Sequence, residues 1–150
     1  MEKIISKGPE ETKAFGKHLA KSLRSGDIIC LFGDLGSGKT TLIKGIAEGL
    51  NISQENVKSP TFVLMNIYEG RLPLFHFDLY RLEDLQGISS IGYDEFLYGN
   101  GVSVIEWADR LGEFLPKKYL KIEMKHKKLQ ERVIRLSAKS GDFNYESFMH

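Results

Sequence analysis

The stretch GDLGSGKTT, residues 33–41, decides the fold of this 150-residue chain. Its first eight residues match the pattern G-x-x-x-x-G-K-[ST] at every fixed position. Glycines let a backbone curl so that successive N–H groups point inward and form a nest the size of an anion. A helix that begins at such a loop adds the positive end of its dipole. The stretch therefore predicts a loop that binds the phosphates of a nucleotide.

The sequence on either side of the loop supports this interpretation. Residues 28–32, IICLF, form an apolar run of the kind found in a strand buried on both faces. Residues 42–50 repeat apolar side chains at helical spacing. Strand, loop and helix in this order are the setting that the motif needs; the alternative is a glycine-rich turn beside a helix. The residues predicted to bind the phosphates are Gly33, Asp34, Leu35, Gly36, Ser37, Gly38, Lys39, Thr40 and Thr41.

Composition places few limits on function. The chain is 41% hydrophobic and 27% charged, which is ordinary for a globular protein. Its formal net charge of +1 argues against binding of nucleic acid by a uniformly basic surface. Its size suits one domain spanning residues 1–150. Cys30 is the single cysteine, so no intramolecular disulfide can form. The sequence has no signal-peptide pattern and no run long enough to span a membrane, so a cytoplasmic location without membrane partners is expected.

The order of patterns predicts an α/β fold. A short strand at residues 3–6 precedes a helix that begins at Pro9, and residues 61–80 suggest two strands in a hairpin, the second starting late or lying at an edge because of Pro73. Residues 102–107 form a second buried strand, and residues 119–126 alternate cleanly and can pair with residues 131–138. We expect a single-domain P-loop protein with a mixed, mainly parallel central sheet, flanking helices and a C-terminal antiparallel hairpin.

Two acids follow apolar runs. Asp78 ends LFHFD and Glu106 ends VSVIE, and ligands of parallel α/β sheets collect at the carboxyl ends of strands. Both acids are therefore candidates to hold Mg²⁺ together with the Thr40 hydroxyl, while Lys39 reaches the β- and γ-phosphates. The alternative for each acid is a surface carboxylate at a strand end.

Other candidates are open to two interpretations each. Thr61 follows a proline and is either a switch hydroxyl that senses the γ-phosphate or part of a plain turn. His76 lies between two aromatic residues, where a packed and hydrogen-bonded side chain is the usual finding. Arg81 is either a phosphate ligand or a solvated arginine, and Trp107 is either core or part of the site. The lysines of residues 117–128 form the wet face of a hairpin or a contact patch for RNA or an acidic partner.

Four stretches together resemble one family. GDLGSGKTT (residues 33–41), SPTF (59–62), HFDLYRL (76–82) and VIEWADRL (104–111) occur in the order and at about the spacing of the TsaE (YjeE) family. These are bacterial P-loop ATPases required for threonylcarbamoyladenosine in tRNA. The resemblance implies a small single domain that binds ATP or ADP with Mg²⁺. It also implies a partner, the TsaB–TsaD pair, which transfers a threonylcarbamoyl group to adenosine 37 of tRNAs reading ANN codons. Association with tRNA, if any, is expected to be indirect.

The resemblance assigns roles residue by residue. It implies that Thr40, Asp78 and Glu106 form the magnesium and catalytic group, with Thr61 as the switch threonine. Residues 35–41 wrap the phosphates, and Trp107 matches the tryptophan next to the Walker-B acid. By the same resemblance, Thr12 and Arg132 lie near the nucleotide base. Two departures stand out: Glu131 replaces the glycine that often precedes this arginine, and Ser37 replaces the commoner alanine in the loop.

Two other functions compete with a partner-stimulated ATPase. A small-molecule or nucleotide kinase needs an acceptor pocket under a basic lid, and the sequence has no arginine-rich insertion to build one. A GTP-binding switch needs a guanine-specific stretch of the [NT]-K-x-D type, which the sequence lacks. An acceptor screen and a comparison of ATP with GTP separate the three.

Overall fold

The computed structural model describes residues 2–33, 38–53, 65–79, 93–97 and 99–139. Helices in these ranges are α1 (Pro9–Ala20), α2 (Lys39–Gly49) and α3 (Tyr93–Leu97), with a 3₁₀ segment at Ala108–Phe114. The strands are β1 (Glu2–Ser6), β2 (Ile28–Phe32), β3 (Met65–Tyr68), β4 (Leu74–Asp78), β5 (Val102–Glu106), β6 (Tyr119–Lys128) and β7 (Glu131–Lys139). None of the described helices has the length and apolar character needed to cross a bilayer.

The described strands form one sheet in the order β1-β7-β6-β2-β5-β4-β3. The central strands β6, β2, β5 and β4 run parallel, and the outer pairs β1/β7, β7/β6 and β4/β3 are antiparallel. The mixed α/β sheet and the C-terminal hairpin predicted from the sequence are confirmed. β4 does start late, directly after Pro73, but β3 covers its outer side, so it is an interior strand. Residues 61–64, at the start of the predicted hairpin, lie outside the described residues.

The position of β2 explains its unbroken apolar run. It pairs with β5 on one side and β6 on the other. Ile29 and Leu31 pack into the cluster that includes α1 and α2, while Ile28 and Cys30 pack into the cluster on the opposite face. A strand buried on both faces has no polar side to alternate with. Burial also raises the pKa of the Cys30 thiol to about 12, which excludes a nucleophilic role near neutral pH.

Helices α1 and α2 lie unusually close together because glycines line their contact. A Cβ built on Gly16 of α1 would lie 2.6 Å from the Leu42 carbonyl oxygen and 2.9 Å from the Ile46 nitrogen, both backbone atoms of α2. A Cβ on Gly45 of α2 would clash in turn with the Lys13 carbonyl of α1. This contact fixes the position of α2, and hence of its first residues, against α1.

Replacing Gly16 with alanine is expected to lower the free energy of unfolding by about 1–2 kcal/mol. Alanine gains up to ~1 kcal/mol of helix propensity over glycine, but overpacking against backbone costs about 1–3 kcal/mol because backbone atoms cannot rotate away. Urea unfolding measures the change, with Glu10→Gln at an exposed position of the same helix as the control. A Gly16→Ala chain as stable as the parent would show that separating the two helices costs no more than the helix propensity that alanine gains.

Candidate nucleotide site

The start of α2 has the geometry that the loop motif predicts. β2 ends at Phe32, and α2 begins at Lys39 with Gly38 as its N-cap. Gly38 has φ 101°, a left-handed conformation that favours glycine, and its carbonyl accepts the first helical hydrogen bond from Leu42 N at 3.0 Å. Asp34, Leu35, Gly36 and Ser37 lie outside the described residues, so their phosphate contacts stay a prediction. Thr40 and Thr41 lie in the first turn and are half-buried.

The Lys39 side chain turns back toward the beginning of the loop. Its Nζ donates a hydrogen bond to the Gly33 carbonyl oxygen at 2.5 Å and lies 4.1 Å from the ring centroid of Trp107. The residue is only 5% exposed. The site therefore places a buried positive charge where the motif predicts the β- and γ-phosphates.

Asp78 and Glu106 end neighbouring parallel strands at the same level. They are register partners of β4 and β5, and Glu106 is also the partner of Leu31 in β2. Register partners in a sheet present their side chains on the same face, and Leu31 packs in the α2 cluster. Both carboxylates thus lie on the face that carries α2. Glu106 is buried and Asp78 is half-buried.

His76 is the residue whose importance the sequence did not reveal. Its Nε2 lies 2.6 Å from Oε2 of Glu106, and the ring is fully buried. The sequence predicted a packed, hydrogen-bonded histidine, and the structure agrees. It did not predict that the hydrogen-bond partner is Glu106, the candidate metal ligand. Strand periodicity was the available signal, because His76 and Asp78 are two residues apart in β4 and share a face.

Trp107 follows Glu106 directly and leaves the strand in a rare conformation. Its φ of 59° and ψ of 42° lie in the left-handed region, which is uncommon for a bulky residue and is concentrated at functional sites. The turn brings the indole over the Lys39 ammonium. Trp107 also packs, half-buried, against the core cluster that contains Ile28 and Cys30, so both interpretations of Trp107 describe part of its surroundings.

Of the two residues predicted to lie near the nucleotide base, Arg132 lies beside Gly38 and Thr12 is buried in contact with β1. Arg132 lies beside the loop, with its Cγ and Nε 4.0 Å from a Cβ built on Gly38, and its Nη1 donates to the carbonyls of Leu129 and Glu131. The Thr12 hydroxyl is buried and lies 2.7 Å from Ser6 Oγ. Ser6 donates its own hydrogen to the Gly8 carbonyl, so Thr12 is the donor to Ser6. The roles of both residues stay predictions, and Thr61 and Arg81 lie outside the described residues.

The hairpin lysines are largely solvated. Lys117, Lys118, Lys125, Lys127 and Lys128 are exposed, whereas Lys121 pairs with Glu123 at 3.1 Å and lies over the Phe32 ring. Exposure of these side chains fits both the wet face of a hairpin and a contact patch, so both interpretations stay predictions.

Comparison with known proteins identifies the family. The model of the family described as threonylcarbamoyl adenosine biosynthesis protein TsaE matches residues 6–134. The chain belongs to the TsaE family. This confirms the resemblance carried by the four sequence stretches, and it assigns the chain to threonylcarbamoyladenosine biosynthesis.

Individual TsaE relatives match most of the chain. The tRNA threonylcarbamoyladenosine biosynthesis protein TsaE of Bacillus subtilis is 47% identical over 131 residues, which cover 87% of this chain and 81% of that protein. The protein of the same name from Treponema pallidum is 41% identical over 123 residues, covering 82% and 90% of the two chains. The crystal structure of Bacillus subtilis YdiB superposes with a TM-score of 0.77 at 39% identity, covering 94% of this chain and 86% of that one. The P-loop fold predicted from the sequence is confirmed.

Proposed function

We propose that this TsaE chain binds ATP or ADP with Mg²⁺ and hydrolyses ATP to support a TsaB–TsaD-like heterodimer. That pair forms N6-threonylcarbamoyladenosine at position 37 of tRNAs reading ANN codons. The chain acts as a single domain, residues 1–150, in the cytoplasm, and any association with tRNA is indirect, through the partner pair. One observation carries the proposal: a buried ammonium at the start of α2 and two carboxylates at adjacent strand ends lie on the same face of the sheet.

Binding of the phosphates rests on the start of α2. The first N–H groups of a helix have no intrahelical acceptor, and the helix dipole favours an anion there. Lys39 adds a buried cation whose observed partners include a carbonyl and an indole ring. A triphosphate oxygen is a stronger acceptor than either, so Lys39 exchanges them for the β- and γ-phosphates.

The remaining residues fit a magnesium ion. Mg²⁺ is usually held by one or two carboxylates plus phosphate oxygens and water, rather than by a cage of protein ligands. The described residues contain no cluster of three or more His, Cys, Asp or Glu side chains, but they do bring Asp78 and Glu106 together. These two, with the Thr40 hydroxyl, are the proposed ligands. When bound, Mg²⁺ neutralises charge that develops on the transferred phosphoryl group.

The proposed site combines these groups with residues outside the described ranges. Catalytic residues are Lys39, Asp78, Glu106 and Thr61. The nucleotide is bound by Thr12, Gly33, Asp34, Leu35, Gly36, Ser37, Gly38, Lys39, Thr40, Thr41, Trp107 and Arg132. A partner protein can complete such a site by adding a charge or by placing the attacking water, as arginine fingers do. We therefore expect slow hydrolysis by the isolated chain.

The test is to mix the purified chain with a purified TsaB–TsaD pair and follow ADP release. We expect hydrolysis of ATP to rise on mixing, to require Mg²⁺ and to exceed hydrolysis of GTP. Lys39→Ala in the same mixture controls for contaminating ATPases. Robust ADP release that depends on a small-molecule acceptor and needs no partner would instead establish the kinase, and tighter binding of GTP would establish a GTP switch.

A further inference from the structure

The bond between His76 and Glu106 is unusually well isolated from solvent. The 2.6 Å contact joins a ring that is 0% exposed to a side chain that is 5% exposed. His76 belongs to the interior strand β4, and Glu106 ends the adjacent strand β5. A short hydrogen bond to a carboxylate in such surroundings has no water to compete with it.

The chemistry of the two groups sets the direction of this bond. An ionised carboxylate can only accept, so Nε2 carries the proton and donates it to Oε2 of Glu106. The other ring nitrogen, Nδ1, is buried and has no hydrogen-bond partner among the described residues. The bond uses only one carboxylate oxygen, so Oε1 remains able to coordinate.

The ring is held in place from both sides of its strand. His76 is the register partner of Asn66 in β3 and of Val104 in β5. The Tyr68 ring lies 6.4 Å away between centroids, tilted by 33°. A histidine packed in this way cannot easily change rotamer, so its Nε2–H is a fixed point for the glutamate.

The geometry points to His76 as a positioning residue for Glu106. It holds the carboxylate in one orientation through Oε2 and leaves Oε1 available to a metal ion. Groups that orient a metal ligand typically change metal affinity or activity by about 10- to 100-fold when removed. This inference deepens the proposed function and rests on Glu106 being a magnesium ligand.

The test compares His76→Leu, which removes the donor at similar volume, with His76→Gln, whose amide N–H can replace Nε2–H. ATP binding is measured by calorimetry without metal and over a range of Mg²⁺ concentrations. We expect His76→Leu to raise the Mg²⁺ concentration needed for half-maximal tightening by about tenfold or more. Metal-free ATP affinity should stay within about twofold, because the loop and Lys39 are untouched. His76→Gln should recover most of the loss, and His18→Gln on α1 serves as the control.

Equal losses with and without metal in His76→Leu would show a merely structural role and overturn the inference. So would an unchanged magnesium requirement in that variant while the parent chain binds normally, and neither result affects the proposed function. A parent chain whose ATP binding ignores Mg²⁺ would overturn the proposed function and this inference with it.

A measurement on the parent chain covers the case in which His76→Leu does not fold. In ¹⁵N-edited spectra we expect the His76 ring to carry a slowly exchanging proton on Nε2, and this signal should be lost in Glu106→Ala. A ring protonated on Nδ1 instead would overturn the inference directly, whatever the chain does with nucleotides.

Discussion

Replacing Lys39 with alanine is expected to weaken ATP binding by about 10- to 150-fold. A hydrogen bond to a charged group contributes about 1.5–3 kcal/mol, and each 1.4 kcal/mol is a factor of ten in affinity. Because Lys39 is only 5% exposed, its charge is less screened by water than that of a surface lysine. The loss should be greater for ATP than for AMP, which lacks the β- and γ-phosphates that the ammonium reaches.

Calorimetry is the suitable measurement for Lys39→Ala. The single tryptophan, Trp107, lies 4.1 Å from Nζ, so the substitution alters its fluorescence even without nucleotide. Lys44→Ala is the matched control, since it removes a lysine from the same helix, further from the loop. The thermal midpoint of each chain without ligand reports whether the fold is intact. Equal ATP affinities of Lys39→Ala and Lys44→Ala would show that the phosphates bind elsewhere.

Much of the fold follows from strong local patterns. The apolar run at Ile28–Phe32 becomes a central strand because only such a strand needs apolar side chains on both faces. The alternation in β6 predicts which residues are buried, and Leu120, Ile122 and Met124 are. It does not predict where the strand ends, because the hydrogen-bond ladder continues to Lys128 after the last buried residue. The last buried side chain of a strand and its last backbone-paired residue therefore need not coincide.

The parts of the site that sequence reasoning missed depend on contacts across strands. The partner of His76 is thirty positions away in sequence, and it is set by the register between β4 and β5, which no local pattern encodes. The Trp107 contact depends on a left-handed turn that sequence does not favour for a tryptophan. The loop motif, in contrast, is local, since its glycines and its lysine act within one turn of backbone.

Replacing Glu106 is expected to lower partner-stimulated ATP hydrolysis by about 100-fold or more while metal-free ATP affinity falls little. Removing one preorganised group that stabilises transition-state charge typically costs about 100- to 1,000-fold in rate. The start of α2 and Lys39, which bind the ground-state phosphates, remain in place. Glutamine and alanine should both lose hydrolysis, because either change removes the carboxylate charge that Mg²⁺ requires.

Stability should separate the two Glu106 variants. Glutamine keeps an oxygen that can accept the His76 Nε2–H, although without the charge, so Glu106→Gln should lose less stability than Glu106→Ala. Alanine leaves a buried N–H without its acceptor, which costs about 1–3 kcal/mol of unfolding free energy. Urea unfolding measures this, and Asp109→Asn, an exposed acid just past β5, is the control for both assays. Full hydrolysis by Glu106→Gln would place the catalytic carboxylate at another residue. Of these two positions, we expect only Asp109→Asn to keep full hydrolysis, because Glu106 lies on the sheet face that carries α2 and Asp109 follows the end of β5.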